Sequence, residues 1–267
     1  MSAHPSADVE VWYLSFEGVA PGFWQRHALL LSAGEQARAD KFHFPEDRAS
    51  YIAAHALLRS MLSHRTEAPL AAWRFAEDAN GKPEIAAPAD TNLRFNLSHT
   101  RGGVACVTSL GRRVGVDIEG LGRAPIPAKA WGRIFHPAEI RRLERCAPNE
   151  LATAFFELWT LKEAYVKATG LGLRLALDEV VFNPKTPRLL CAPEGAPGGV
   201  GWDFVQFRAG AGHTVAACAQ SGGAERPCFV VEEADPETLL PAGASPAAAT
   251  QVEEISRVCA AASPPSR

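Results

Sequence analysis

The chain repeats one order of secondary structure, helices first and short strands afterwards, and this order restricts the folds open to it. An opening strand is predicted at 9–16, and helical patterns cover residues 32–61, 131–146 and 151–169. Short strands are predicted after each helical block, at 93–97, 103–108 and 113–119, and again at 178–182, 201–208 and 214–218. Helices that precede runs of short strands are compatible with an α+β fold of two similar halves.

Capping residues mark the ends of the predicted helices. Ser32 can cap a first helix, and Glu35, three residues later, completes a capping-box pattern. Pro45 and Pro137 each open a further helical segment, where the missing N–H of proline costs nothing. Gly170 ends the long helix 151–169.

Three acidic residues in two motifs give the strongest indication of chemistry. Asp117 and Glu119 alternate along a predicted strand, so their side chains point to the same face. Glu163 and Lys167 lie four residues apart on the predicted helix 151–169 and share a face. Three acids and a lysine suit a magnesium–phosphate site, because Mg²⁺ uses one or two carboxylates while substrate phosphates complete its shell.

Each of these motifs also has an ordinary explanation. Asp117 and Glu119 can be a solvated strand end before a glycine turn, and metal motifs this short recur by chance. Glu163 and Lys167 can be a surface ion pair worth about 0.3–0.5 kcal/mol. A large aromatic side chain, Trp159, lies on the same side of the helix as Glu163, which favours a sheltered cleft over a solvated face.

Two further polar segments are candidates for binding an anion. Ser98 and His99 close a predicted strand and offer hydroxyl and imidazole donors. Lys82 and Pro83 follow a predicted Asn-Gly turn at 80–81, although an ordinary polar loop explains this segment as well.

Composition excludes several classes of protein. The 267 residues are enough for one large domain or two modest ones, and the net charge of −3 implies no general affinity for nucleic acid. No apolar run approaches the roughly 20 residues that span a bilayer. Residues 1–10 lack the pattern of a signal peptide, so we expect a cytoplasmic protein without membrane contact. The six cysteines are not spaced as zinc ligands, and Cys106 and Cys218 are expected to be buried hydrophobes.

Taken in order, these motifs resemble the 4′-phosphopantetheinyl transferases of the larger, surfactin-synthetase-activating (Sfp) type. The matching segments are 31–59, 80–83 (Asn-Gly-Lys-Pro), 95–99 (Phe-Asn-Leu-Ser-His), 115–119 (Gly-Val-Asp-Ile-Glu), 135–139 (Phe-His-Pro-Ala-Glu) and 159–167 (Trp-Thr-Leu-Lys-Glu-Ala-Tyr-Val-Lys). Each segment alone is a weak signal, but their shared order and spacing make a strong one. The resemblance covers residues 30–175, and the order of elements fits to about residue 220.

The resemblance implies a monomer of two pseudo-symmetric α+β halves, each with helices packed on a small antiparallel sheet, and a ligand cleft between them. The expected boundaries are 1–112 for the first half, 113–232 for the second half with the metal site, and 233–267 for a largely disordered tail rich in alanine and proline. It also implies transfer of the 4′-phosphopantetheine arm of coenzyme A to a serine of an apo carrier protein, with release of 3′,5′-ADP.

Roles for individual residues follow from the resemblance. Asp117, Glu119 and Glu163 would hold Mg²⁺, or Mn²⁺, against the coenzyme A pyrophosphate. Glu163 would also be the base for the attacking serine, directly or through water, and Lys167 would neutralise the pyrophosphate and protonate the departing phosphate. Other residues expected to contact coenzyme A are Ser98, His99, Lys82, Pro83, Arg38 and Arg48.

Some alternatives stay open at this point. A non-catalytic module that binds coenzyme A or a carrier protein would have the same fold, and a magnesium-dependent nucleotide phosphohydrolase is a third reading. The carrier can be peptidyl, polyketide acyl or fatty-acid acyl, with secondary metabolism favoured. His55 stands where relatives often have arginine, so a coenzyme A contact there would depend on pH.

Overall fold

The computed structural model describes residues 8–78, 81–89, 91–193, 196, 201–222, 226–239 and 257–258. The first part of the chain forms five strands and two helices: β1 (Val9–Ser15), α1 (Ala33–Ala39), α2 (Pro45–Thr66), β2 (Arg74–Glu77), β3 (Pro83–Ala87), β4 (Leu93–Thr100) and β5 (Gly103–Leu110). The second part forms β6 (Val114–Gly120), α3 (Pro137–Leu143), α4 (Pro148–Thr169), β7 (Val181–Asn183), β8 (Arg188–Cys191), β9 (Trp202–Ala209), β10 (His213–Gln220), β11 (Phe229–Glu233) and β12 (Arg257–Val258). Within these residues, no helix is both long and apolar enough to cross a membrane.

Two sheets carry most of the architecture. The larger has the order β12-β11-β1-β5-β4, and the smaller has the order β6-β10-β9. All neighbouring strands are antiparallel except β1 and β11, which are parallel. Helix α2 packs on the larger sheet, and α4 packs on β6 and β10 of the smaller one. The predicted α+β class, with helices on small antiparallel sheets, is confirmed.

The helix starts follow the capping residues. At α1 the Ser32 N–H donates to Glu35 Oε2 at 2.7 Å, and the Glu35 N–H donates to Ser32 Oγ at 3.4 Å. His136 caps α3 in the same way, with its Nδ1 accepting from the Ala138 N–H at 3.2 Å. Helix α4 ends at Gly170, whose φ of 71° is the left-handed conformation that glycine adopts at low cost.

Several predicted elements differ from the structure. The helical pattern at 131–146 corresponds to a 3₁₀ segment, Ala128–Arg133, followed by α3, which begins at Pro137 as predicted. Strands β2, β3 and β8 were not predicted. Cys106 and Cys218 are fully buried, as expected.

The end of the chain belongs in part to the first sheet. Strand β11, which begins within the expected second half, lies between β1 and β12 in the larger sheet. Leu239, at the end of the 3₁₀ segment Pro236–Leu239, is buried in the core under α2, and β12 lies in the tail that was expected to be disordered. The remainder of the tail expected to be disordered, 240–256 and 259–267, lies outside the described residues. The boundary between 112 and 113 stays a prediction.

Candidate active site

The two sheets meet along a seam, defined as the line where β4 and β6 run side by side in the same direction. No backbone ladder joins these two strands. Three hydrogen bonds to side chains cross the seam instead, Asn96–Val116 at 2.9 Å, Ser98–Asp117 at 2.8 Å and Thr100–Glu119 at 3.5 Å. The alternation of polar residues at 96, 98 and 100 places these side chains on one face of β4. That alternation is the sequence signal by which Asn96 and Thr100 could have been predicted.

Asp117, Ser98 and Lys167 form one bonded cluster at the seam. Lys167 Nζ donates to Asp117 Oδ1 at 2.7 Å and to Ser98 Oγ at 2.8 Å, and Ser98 Oγ donates to the same Asp117 oxygen. Asp117 is 5% exposed, and its second oxygen, Oδ2, is buried without a hydrogen-bond partner. One strand from each sheet and helix α4 therefore converge on a single carboxylate.

The other two acids, Glu119 and Glu163, differ in their partners. Glu119 Oε2 accepts from Arg123 at 2.7 Å, a contact that sequence reasoning missed. Glu163 has no hydrogen-bond or ion-pair partner among the described residues. Partial burial raises the pKa of both Glu119 and Glu163 above the usual range, and the negative charge of Asp117 raises both further. The three carboxylates therefore repel one another, and a bound cation would reduce this repulsion.

The donor set fits a magnesium ion in its chemistry. Three carboxylates supply the hard oxygen ligands that Mg²⁺ requires, and Asp117 Oδ2 is an acceptor without a donor. The described residues do not, however, include any group of three or more acidic, histidine or cysteine side chains already gathered closely enough to hold a metal. Lys167 and Arg123 already form ion pairs with Asp117 and Glu119, so their positive charges would compete with a cation for these carboxylates.

Lys82 contacts the same helix that carries Lys167. Its ammonium donates to the main-chain carbonyl oxygen of Lys167 at 2.8 Å, and burial lowers its pKa. Lys82 and Pro83 line a cavity of about 350 Å³ between the β2–β3 hairpin, the starts of β4 and β6, and the end of α4. Their predicted contact with coenzyme A stays a prediction, but the ammonium of Lys82 is already bonded to protein.

The remaining predicted coenzyme A contacts are His99, Arg38 and Arg48. His99 is exposed at the end of β4; partial desolvation lowers its pKa, and the charges of Lys167 and His55 lower it further. Arg38 forms an exposed ion pair with Glu77 at 3.1 Å. The structure does not bring Arg48 to the cluster; it bonds instead to Asp40 at 3.1 Å and to Gln25.

A buried ionic cluster beside α1 was also missed in part. Glu35 accepts from Arg59 at 2.7 Å and lies 2.9 Å from His55 Nδ1, while Arg59 is fully buried. The rings of His55 and Tyr51 are 4.4 Å apart. His55 is therefore bonded to a carboxylate and packed on an aromatic ring.

Known proteins match both halves of the chain. A family model described as the 4′-phosphopantetheinyl transferase superfamily matches residues 113–218, and one described as 4′-phosphopantetheinyl transferase, N-terminal, matches residues 20–110. The 4′-phosphopantetheinyl transferase HetI of Nostoc sp. is 33% identical over 191 residues, which are 70% of this chain and 80% of that protein. The chain belongs to the 4′-phosphopantetheinyl transferase superfamily.

Membership of the superfamily confirms the predicted family and enzyme class. The 4′-phosphopantetheinyl transferase Sfp of Bacillus subtilis is 29% identical over 154 residues, which are 58% of this chain and 66% of that protein, in keeping with the larger, Sfp-like type. The holo-[acyl-carrier-protein] synthase of Thermotoga maritima has a TM-score of 0.33 and 23% identity, covering 48% of this chain and 71% of that one. That structure therefore matches only part of this chain.

Proposed function

We propose that this superfamily member transfers the 4′-phosphopantetheine arm of coenzyme A to a serine hydroxyl of an apo carrier protein, releases 3′,5′-ADP, and depends on magnesium. The observation that carries the proposal is the cluster of Ser98, Asp117 and Lys167 at the seam, with the unpartnered Glu163 beside it. Phosphoryl transfer needs mainly positioning and neutralisation of charge, and these residue types supply both.

The serine oxygen of the carrier forms a bond to the phosphorus that bears the pantetheine arm, and the bond from that phosphorus to the ADP oxygen breaks. Glu163 accepts the serine proton, directly or through water. Glu163 has no hydrogen-bond or ion-pair partner among the described residues, so its carboxylate is available for this role. The nucleophile belongs to the partner, which explains why the chain needs no activated serine or cysteine of its own.

Lys167 neutralises the coenzyme A pyrophosphate and donates a proton to the departing phosphate. Asp117, Glu119 and Glu163 are the residues that would hold Mg²⁺, which when bound supplies positive charge to the pyrophosphate oxygens. Mn²⁺ is an acceptable substitute for such oxygen ligands.

Coenzyme A binding is assigned to the residues around this cluster. Ser98 and His99 contact its phosphates, and Lys82, Pro83 and Arg38 face its nucleotide end; Arg48 is the weakest member of this set because it lies with Asp40. The carrier is peptidyl, polyketide acyl or fatty-acid acyl, with secondary metabolism favoured. A monomeric state and a cytoplasmic location stay predictions.

Intact-protein mass spectrometry tests the proposal. Apo peptidyl, polyketide and fatty-acid carriers are each incubated with the protein, coenzyme A and Mg²⁺, with EDTA and a carrier whose acceptor serine is replaced by alanine as controls. A gain of one phosphopantetheine unit, lost in both controls, is expected. Binding of carrier without any mass gain would support a non-catalytic module, and release of phosphate from coenzyme A without carrier would support a phosphohydrolase.

A further inference from the structure

The ammonium of Lys167 occupies the position among the seam carboxylates where a bound cation would be expected. It lies 2.7 Å from Asp117 Oδ1 and 2.8 Å from Ser98 Oγ, so one carboxylate oxygen is already saturated by two donors. The other oxygen, Asp117 Oδ2, is enclosed by protein and has no hydrogen-bond partner among the described residues. A divalent cation that binds Asp117 Oδ2 while this arrangement lasts is repelled by the ammonium of Lys167 on the same carboxylate.

The negative charges of the carboxylates at the seam explain why the ammonium of Lys167 lies beside Asp117. Three carboxylates, Asp117, Glu119 and Glu163, interact with one another, and among the described residues two cationic side chains, Lys167 and Arg123, bond to them. Carboxylates this close repel one another strongly unless a cation separates them. An internal ammonium therefore stabilises the metal-free site, but it competes with a metal for the same oxygens.

We propose that Lys167 is an internal counter-ion that keeps the acidic site in a low-affinity state for divalent cations until the substrate pyrophosphate draws its ammonium away from Asp117. This inference depends on the proposed function, because it names the substrate phosphates as the group that receives Lys167. Its consequence is coupling: the metal and coenzyme A each bind more tightly when the other is present, by the same factor.

The contacts of Lys167 allow the side chain to move without the helix. Its main-chain carbonyl is held by the Lys82 ammonium at 2.8 Å, which fixes the backbone at the end of α4. Its side chain is 27% exposed, and its four-carbon stem is flexible. Rotation of that stem would carry the ammonium from Asp117 to a substrate phosphate bound beside it.

Binding of Mn²⁺, followed by electron paramagnetic resonance in the absence of coenzyme A, tests the inference without any catalytic readout. Lys167→Met keeps the length of the side chain and removes its charge, and should bind Mn²⁺ roughly tenfold more tightly than the wild type, a difference of about 1.4 kcal/mol. Lys129→Met is the matched control, because it removes one charge from an exposed lysine that, within the described part of the chain, forms no ion pair with the three carboxylates, and should leave the affinity unchanged. Lys167→Arg retains the positive charge and should bind Mn²⁺ as weakly as the wild type.

The coupling provides a second arm. Adding coenzyme A should tighten Mn²⁺ binding in the wild type and have a smaller effect in Lys167→Met. Equal or weaker Mn²⁺ binding by Lys167→Met, compared with the wild type, would overturn the inference.

A measurement on the unaltered protein avoids dependence on the folding of a variant. The ¹⁵N-ammonium resonance of Lys167 should shift when Mg²⁺ and coenzyme A are added together, and an unchanged resonance contradicts the inference. Failure of the proposed function appears separately, as the absence of phosphopantetheine on every carrier tested, whereas these experiments report binding alone.

Discussion

Gly115 of β6 lies directly against the backbone of Ala164 in α4. A Cβ atom on Gly115 would stand 2.0 Å from the Ala164 carbonyl oxygen and 2.6 Å from the Ala168 nitrogen. No side chain separates the strand from the helix at this point. Because Asp117 lies two residues further along β6, this close approach allows Lys167 to reach it.

Replacing Gly115 with alanine should therefore damage both stability and activity. The added methyl group meets backbone rather than flexible side chain, and overpacking of this kind costs about 1–3 kcal/mol. Urea unfolding measures the loss, and carrier modification measures the effect on turnover. Gly132→Ala is the matched control, since a Cβ there meets nothing within 4 Å and should leave both quantities unchanged.

Glu163→Gln should separate activity from stability. Loss of the base should lower turnover at least ~10²-fold. The raised pKa of Glu163 means that the metal-free fold favours the protonated carboxyl over the charged one. The protonated carboxyl stabilises the fold below the unfolded-state pKa, and this contribution is lost as pH rises through the folded-state pKa. At pH 7 in EDTA, the glutamine variant should melt at least ~2 °C higher.

The control for this experiment lies on the same helix. Glu157 forms an ion pair with Arg208 at 3.1 Å, so Glu157→Gln removes a satisfied charge and should give no increase in melting temperature. If Glu163→Gln retained wild-type turnover, Glu163 would have neither the base role nor the ligand role assigned to it.

The cluster around Glu35 should control stability in acid. Burial alone would raise the pKa of Glu35, but the His55 hydrogen bond and the charges of His55 and Arg59 outweigh it and lower the pKa from 4.5 to about 2. A lowered carboxyl pKa stabilises the fold above the unfolded-state value, and this contribution is lost as pH falls from about 4.5 to about 2. Glu35→Gln should flatten the pH dependence of the free energy of unfolding in that window. An unaltered acid limb would show that other carboxylates dominate it.

Removing only one charge of the buried pair of Lys162 and Glu139 should strongly destabilise the protein. Lys162 Nζ lies 2.8 Å from Glu139 Oε2 and donates also to the carbonyl oxygens of Leu177 and Val180, with both charged side chains almost fully buried. Glu139→Leu leaves a buried ammonium without its counter-ion, at a cost of about 3–5 kcal/mol. The double variant Glu139→Leu, Lys162→Met should recover much of that loss in urea unfolding. A double variant as unstable as the single one would show that the hydrogen bonds from the backbone N–H groups of His136 and Phe182 to Glu139, and not the charge pair, hold this site.

Local signals in the sequence were sufficient for many elements. The capping box at Ser32, the glycine stop at 170 and the alternation of Asp117 with Glu119 each act within a few residues, so they were predicted and then observed. Strands β2, β3 and β8 were missed because each is four or five residues long and is stabilised by its hairpin partner rather than by a strong pattern. The parallel pairing of β1 with β11 joins segments more than 200 residues apart, which no local pattern encodes.

The sequence by itself determined which side chains were available for chemistry: three acids, Lys167 and the Ser98–His99 pair, in an order that resembles one family. Only the tertiary structure decided which of them meet. Asp117 and Lys167 are brought together because Gly115 lets α4 rest on β6, and Ser98 joins them because two sheets touch along the seam. Those contacts depend on distances between segments that are far apart along the chain, and such distances are set by packing of whole elements rather than by neighbouring residues.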